Sequence, residues 1–192
     1  MDQLSSQDRI LNTSLDLFSS KGYDATSVRE ICDAAGITKP TLYHFFGSKE
    51  GVYRALVEGA LEDFRRSWIA RLDLPGSVEA RLGQAAWAYF DKAIGQKQLA
   101  RFLYSLIYNP PSSAPKTDFL CFYEEIVHRT SRVVEAAVAR GELAPGPIQV
   151  RMLVLMGAIG EAVRGYLLFG RPELTPALAA EVIETVLRGW RR

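Results

Sequence analysis

Cysteine and histidine are scarce in this chain, two of each in 192 residues. Cys32 and Cys121 sit far apart, each inside a helix-like pattern, so a disulfide framework is not expected and a reducing compartment suits the chain better. Each reads as a small buried apolar residue, with a redox-sensing thiol as the alternative. No second histidine or cysteine stands at ligand spacing from His44, so no metal is expected there. His128 reads as a surface or pocket-edge residue. An excess of charge of one sign is also missing. Twenty-three Lys+Arg against 22 Asp+Glu leave a formal charge of +1, which excludes a protein that coats nucleic acid by charge alone and leaves room for a local reader. The longest apolar run, Leu153 to Ile159, falls far short of the roughly 20 residues of a membrane span. Residues 1–6 hold no basic stretch leading into an apolar one, so no secretory signal is expected and the placement expected is cytoplasmic. Nor is there an acid/base pair or a nucleophile beside a base, so no catalytic residues, no cofactor and no enzyme are expected.

What the sequence has is apolar residues, 48% of the total, spaced with a helical period almost throughout. Ile10, Leu11, Ser14, Leu15 and Phe18 mark one face of a first helix that stops at Lys21-Gly22. Ser27 with Glu30 has capping-box spacing and opens a second, which turns Val28, Ile31, Cys32 and Ala35 inward and ends at Gly36. Thr38 caps a third with Pro40 in its first turn, and Gly47-Ser48 separates it from a longer helix over about 49–72. Helical patterns then cover about 78–94, 98–108, 117–140, 147–169 and 175–190, broken at Pro75-Gly76, Gly141, Pro145-Gly146-Pro147 and Gly170-Arg171-Pro172. Three prolines between Asn109 and Pro115 mark a loop. The fold class expected is all-α: three short helices, then about six longer ones.

The informative stretch runs from Thr26 to Lys49. Two short helices joined by a turn at Gly36, the second with polar residues outward at its start, have the layout of a helix-turn-helix. Leu42, Phe45 and Phe46 are expected in the core, leaving Lys39, Pro40, Thr41, Tyr43 and His44 outside. Lys39 suits guanine O6/N7, Thr41 a base edge or thymine methyl, and Pro40 gives a rigid apolar edge. Tyr43, His44 and Lys49 suit phosphate oxygens, and Thr26 and Ser27 offer hydroxyls and free N–H groups to the backbone.

The run Gly36-Ile37-Thr38-Lys39-Pro40-Thr41-Leu42-Tyr43-His44-Phe45-Phe46-Gly47-Ser48-Lys49-Glu50 resembles the DNA-binding signature of the TetR family of bacterial transcriptional regulators. Gly22 to Ile31 fits the same pattern, and the resemblance is specific over about residues 8–56. It implies that Arg29 reaches bases, that Thr38, Lys39, Pro40 and Thr41 lie at the start of the recognition helix, and that Tyr43, His44 and Lys49 hold phosphates. Proline at 40, where many members carry glycine, stiffens that start. It further implies a helix-turn-helix domain over 1–48 and a helical ligand-binding and dimerisation domain over 49–192. Residues 1–50 carry five basic and seven acidic side chains, so non-specific affinity is expected to be modest and to depend on dimerisation.

In the second half, Leu153, Gly157, Gly160 and Gly165 on one helix and Val182, Ile183, Val186 and Leu187 on the next are candidates for a four-helix homodimer interface. The alternative is that these helices close the monomer core. A dense aromatic set, Phe64, Trp68, Trp87, Phe90 and Phe102 with Tyr104, Tyr108, Phe119, Phe122 and Tyr123, suits either core or the wall of a ligand pocket. The resemblance implies a pocket for an inducer, and few charges fall among these rings, so a small apolar or aromatic ligand is expected. The partners expected are therefore a double-stranded operator, that ligand and a second copy of the chain. A regulator controlled by redox or by a partner protein, without a small-molecule inducer, is the other reading.

Overall fold

A computed structural model describes residues 5–108 and 113–191, and among them the chain is all helical. The helices are α1 (Ser6–Lys21), α2 (Val28–Ala35), α3 (Lys39–Phe46), α4 (Lys49–Leu72), α5 (Val78–Gly95), α6 (Lys97–Tyr108), α7 (Phe119–Ala139), α8 (Ile148–Phe169) and α9 (Pro176–Arg188). Starts and stops are written locally. Ser5, Ser27, Thr38, Ser77 and Thr175 each accept a hydrogen bond from a backbone N–H of the first turn, satisfying one of the four donors a helix start leaves free. Gly36 and Gly170 end α2 and α8 in the left-handed region, with φ of +63° and +73°, where glycine has no Cβ to clash. Of the proline-rich loop expected at 109–115, residues 109–112 lie outside the described part.

Two compact units divide the chain. The first holds residues 1–62 and 98–118, the second 63–97 and 119–192, so that α4 contributes to both. In the first unit α1 packs on α2 and α2 on α3. Ile10, Phe18, Ile31, Leu42, Val52 and Val57 make its apolar centre. An aromatic cluster joins them: the Phe18 ring centroid lies 5.4 Å from Tyr23, 6.0 Å from Tyr53 and 6.3 Å from Phe102 of α6.

In the second unit α5 packs chiefly on α9, and α8 touches α5, α7 and α9. Leu82, Phe90, Val134, Leu155, Ile159, Val163, Ile183 and Leu187 are buried there. The Trp68 indole N–H donates to Thr130 Oγ1 at 3.0 Å, so the ring is buried with its polar atom satisfied. At 22 residues and a mean hydropathy of 1.5 in its richest window, α8 is long and apolar enough to cross a membrane. The run Leu153 to Ile159 alone does not announce this, because the other apolar residues of the helix are set apart from it by Arg151, Glu161 and Arg164. One side of α8 (Met152, Leu155, Ile159, Val163, Leu167) is core, as expected of a packed helix.

Two inward assignments need correcting. Phe45 is 43% exposed. Leu42 and Phe46 stand four apart and share the covered face, while Phe45 stands four after Thr41 on the open flank. Cys121 is exposed rather than buried, on the outer side of the first turn of α7. Cys32 is buried as expected, and burial pushes its thiol above the usual range.

Candidate nucleic-acid interface

The outer face of α3 is built by its cap. Thr38 Oγ1 accepts from Thr41 N at 3.4 Å and shares a 2.8 Å hydroxyl contact with Thr41 Oγ1. Proline in the first turn removes no helical hydrogen bond. With Leu42 fully buried beneath it, the helix presents Lys39, Pro40, Tyr43 and His44 to solvent. Tyr43 is 49% exposed. The His44 ring meets Phe45 edge to face at 5.3 Å, so an aromatic ridge extends the polar face. Phe45 was missed as part of this surface. The signal that finds it is the four-residue step from Thr41, which places both on one flank.

On α2, Arg29 reaches outward with its side chain 81% exposed and an open pairing to Asp33 at 3.5 Å. Such an exposed pair holds the guanidinium only weakly. Ser27 is engaged with Glu30: its hydroxyl donates to Glu30 Oε2 at 2.8 Å and its N–H at 2.9 Å, while Glu30 N returns a bond at 3.2 Å. The Lys21 ammonium also pairs with Glu30. These contacts, Lys21 first, hold the Glu30 carboxyl down at about 2, so a permanent anion sits at the start of α2 with its charge balanced by α1.

Two expected phosphate contacts turn inward. Thr26 is 2% exposed, and its hydroxyl donates to Gly22 O at 2.8 Å. Lys49 Nζ donates to Tyr23 O at 2.9 Å and Thr26 O at 2.8 Å, and lies 4.1 Å from the centre of the Tyr23 ring. The reason is carbonyl supply: the turn between α1 and α2 leaves two acceptors without helical partners, and the first lysine of α4 reaches them. Lys49 thus ties α4 to the turn that orients α2. Burial pushes the Tyr23 and Tyr53 phenols above their usual range.

The aromatic set divides between the units. Phe102, Tyr104 and Tyr108 belong to the first, where Phe102 is buried beside Phe18 and Tyr53 rather than on a pocket wall. In the second, Trp68 and Phe90 are fully buried, Trp87, Phe64, Phe119 and Phe122 are half-buried and Tyr123 is exposed. Phe64 lies 4.8 Å from Tyr89, 5.5 Å from Phe122 and 5.8 Å from Trp68. A pocket of about 350 Å³ in the second unit is lined by none of these ten residues.

The proposed interface residues divide too. Leu153, 70% exposed, stands with exposed Val150 and Val154 on the open side of α8. Gly157 is exposed and Gly160 half-buried. Gly165 faces its own chain: a Cβ there would sit 2.8 Å from Arg171 O. On α9, Ile183 and Leu187 are fully buried in the monomer core, leaving half-buried Val182 and Val186 to face outward.

These features define an all-helical protein with an N-terminal helix-turn-helix, capped and glycine-bounded, its second helix open to solvent. Residues 10–56 match the family model described as "Bacterial regulatory proteins, tetR family". Over those residues the chain carries the helix-turn-helix pattern of that family. It is 39% identical over 75 residues to the HTH-type transcriptional repressor KstR2 of Rhodococcus jostii (strain RHA1), a span of 37% of each protein. Matches of this kind cover about a third of the curated relatives' length. The fold extends further. The TetR family transcriptional regulator PfmR from Thermus thermophilus superposes with a TM-score of 0.75 at 22% identity, over 99% of this chain and 100% of that one. A TetR/AcrR family regulator from Thermobifida fusca does so with 0.71 at 27% identity, over 97% and 98%.

Proposed function

We propose that this chain is a homodimeric, DNA-binding transcriptional regulator of the cytoplasm, a repressor released from a pseudo-palindromic operator by a small, largely apolar ligand. The observation that carries the reading is the outer face of α3, where Lys39, Pro40, Thr41, Tyr43 and His44 stand on a short, capped helix whose inner side is anchored by Leu42. In this reading Lys39 and Thr41 read base edges in the major groove, Pro40 meets a thymine methyl, and Arg29 adds a base contact from α2. Tyr43 and His44 hold phosphates, while both donors of Ser27 are spent on Glu30. Lys49 acts indirectly, by fixing the turn before α2.

Two such helices about 34 Å apart match successive major grooves on one side of the duplex. The open side of α8, with Leu153, Val150 and Gly157, supplies the self-complementary apolar surface of a two-fold dimer, and Val182 and Val186 of α9 complete it. The ligand meets the half-buried rings of the second unit, Phe64, Trp87 and Phe122. It favours the form that does not fit the operator, and α4, which contributes to both units, carries the change. The shift it can impose is limited by its preference between the two forms.

The test is an electrophoretic mobility shift with the operator. Tyr43→Ala removes one charge-assisted contact per protomer and weakens binding by about tenfold or more, while size-exclusion chromatography shows an unchanged dimer. Unchanged affinity overturns the assignment. Aromatic and lipophilic compounds that raise the melting temperature should also release the DNA.

A further inference from the structure

The pocket of about 350 Å³ in the second unit has a chemistry unlike the aromatic set: its walls carry three arginines and a histidine. Positions 128, 129, 132, 133 and 136 recur one helical turn apart, so one face of α7 supplies His128, Arg129 and Arg132 together with a small apolar strip, Val133 and Ala136. Facing them are Leu72 and Asp73 at the end of α4, and Arg81 of α5.

Each arginine is held differently. Arg81 Nε donates to Leu72 O at 2.6 Å and its Nη2 to the same oxygen, which pins the guanidinium with the rest of its fork unspent. Its field also reaches Glu142, which lies with Arg140 and Val78 N and outside the pocket lining. Arg129 Nη2 donates to Asp73 at 3.2 Å. Arg132 stands one turn further along α7 and donates to no carboxylate among the described residues. Three guanidinium groups thus meet a single carboxylate, Asp73, within one concave surface. That leaves an excess of two positive charges, where like charges converge and repel unless an anion joins them.

We propose that this pocket binds a small organic dianion, with its two negative charges seated between Arg129, Arg132 and Arg81 and its carbon skeleton against Val133 and Ala136. Guanidinium forks match the planar or trigonal oxygens of carboxylate and phosphate. A phosphate monoester carries about −1.5 to −2 at neutral pH, and a dicarboxylate carries the same charge. The volume lies at the lower end of the roughly 300–1,000 Å³ of small-molecule sites, larger than a bare inorganic anion requires. The proposal stands apart from the DNA-binding reading and needs neither operator nor inducer.

The experiment is a titration of the full-length protein at pH 7.5 in 150 mM NaCl with phenyl phosphate, phthalate and phenol, followed by calorimetry and by the histidine ring proton signals. The chain has two histidines, so His128 reports the pocket and His44 serves as an internal reference. Saturable binding of phenyl phosphate, phthalate or both is expected, with the His128 signal moving and that of His44 fixed. Which of the two binds distinguishes an ester from a dicarboxylate. Arg132→Ala, a change at an exposed side chain that leaves the fold intact by circular dichroism, should weaken binding at least tenfold, and Arg132→Lys should recover part of it. No saturable binding at millimolar concentration overturns the proposal. So does equal binding of phenol, or an affinity that Arg132→Ala leaves unchanged.

Discussion

At the scale of single residues, the charged groups near the helix-turn-helix divide into those spent on the protein and those left for a partner. Lys49 is spent. Replacing it with methionine keeps the stem but strands Thr26 O, while Tyr23 O keeps its bond from Thr26 N at 3.2 Å, and an unsatisfied acceptor in a partly buried place costs about 1–3 kcal/mol. Lys49→Met should therefore lower unfolding stability by about that amount in urea titrations, and weaken operator binding through loosened α2 rather than through one lost phosphate contact. Glu30 is spent as well. Its carboxyl is held at about 2 in the folded chain and titrates near its ordinary value of 4.5 when unfolded. Its stabilising contribution is thus complete above pH 4.5 and fades as pH falls towards 2. The carboxyl carbon of Glu30, followed by NMR, should titrate near 2 in the native protein. In Lys21→Met, which removes the largest cause of the shift, the midpoint should move up towards 4.5.

At the scale of elements, glycines on the same helix have opposite roles. Propensity alone says that alanine improves any helical glycine by about 1 kcal/mol. At Gly165 the new Cβ would meet Arg171 O at 2.8 Å, and relieving such an overlap costs roughly 1–3 kcal/mol. Gly165→Ala should lower the melting temperature. Gly157→Ala, with no heavy atom within 4 Å of the added carbon, should not destabilise the protomer, and differential scanning calorimetry separates the two. This contrast also marks what the sequence makes legible. Helix limits such as Ser27 to Gly36 are written in neighbouring residues, since caps, glycine stops and proline starts act within one turn. The outward set on α3 is legible for the same reason, through helical spacing from Leu42. Which neighbour a side chain meets across space is not local. Lys49 looks the same in sequence whether it binds phosphate or a carbonyl 26 residues away, and Phe102 looks like a pocket residue until Phe18 and Tyr53 surround it. The convergence of Arg81 from α5 with Arg129 and Arg132 from α7 is a matter of tertiary packing alone.

At the scale of the whole molecule, a formal charge of +1 cannot hold DNA by bulk attraction, so in the proposed dimer affinity comes from pairing two readers. In that reading each protomer brings Arg29 and Lys39 to the nucleic acid, while Lys21 is paired with Glu30 and Lys49 with backbone carbonyls. These four cations per dimer displace condensed counterions from the duplex even where they face base edges, which gives a slope of about −4 for log affinity against log salt, at about −0.9 for each. A monomer keeps half of them, about −2. Leu153 is the lever that tests this. It is 70% exposed on the protomer, so Leu153→Glu leaves the fold of the single chain undisturbed. At a two-fold axis it sets two carboxylates into an apolar contact, and buried unpaired charges there cost several kcal/mol. Sedimentation of the variant should show a monomer with native helicity. Its salt slope on a single half-site should match that of the wild type counted per protomer, while affinity for the full operator falls by orders of magnitude. A Leu153→Glu protein that sediments as a dimer moves the interface away from α8. A monomer that binds the full operator as tightly as wild type shows that the second reader adds nothing.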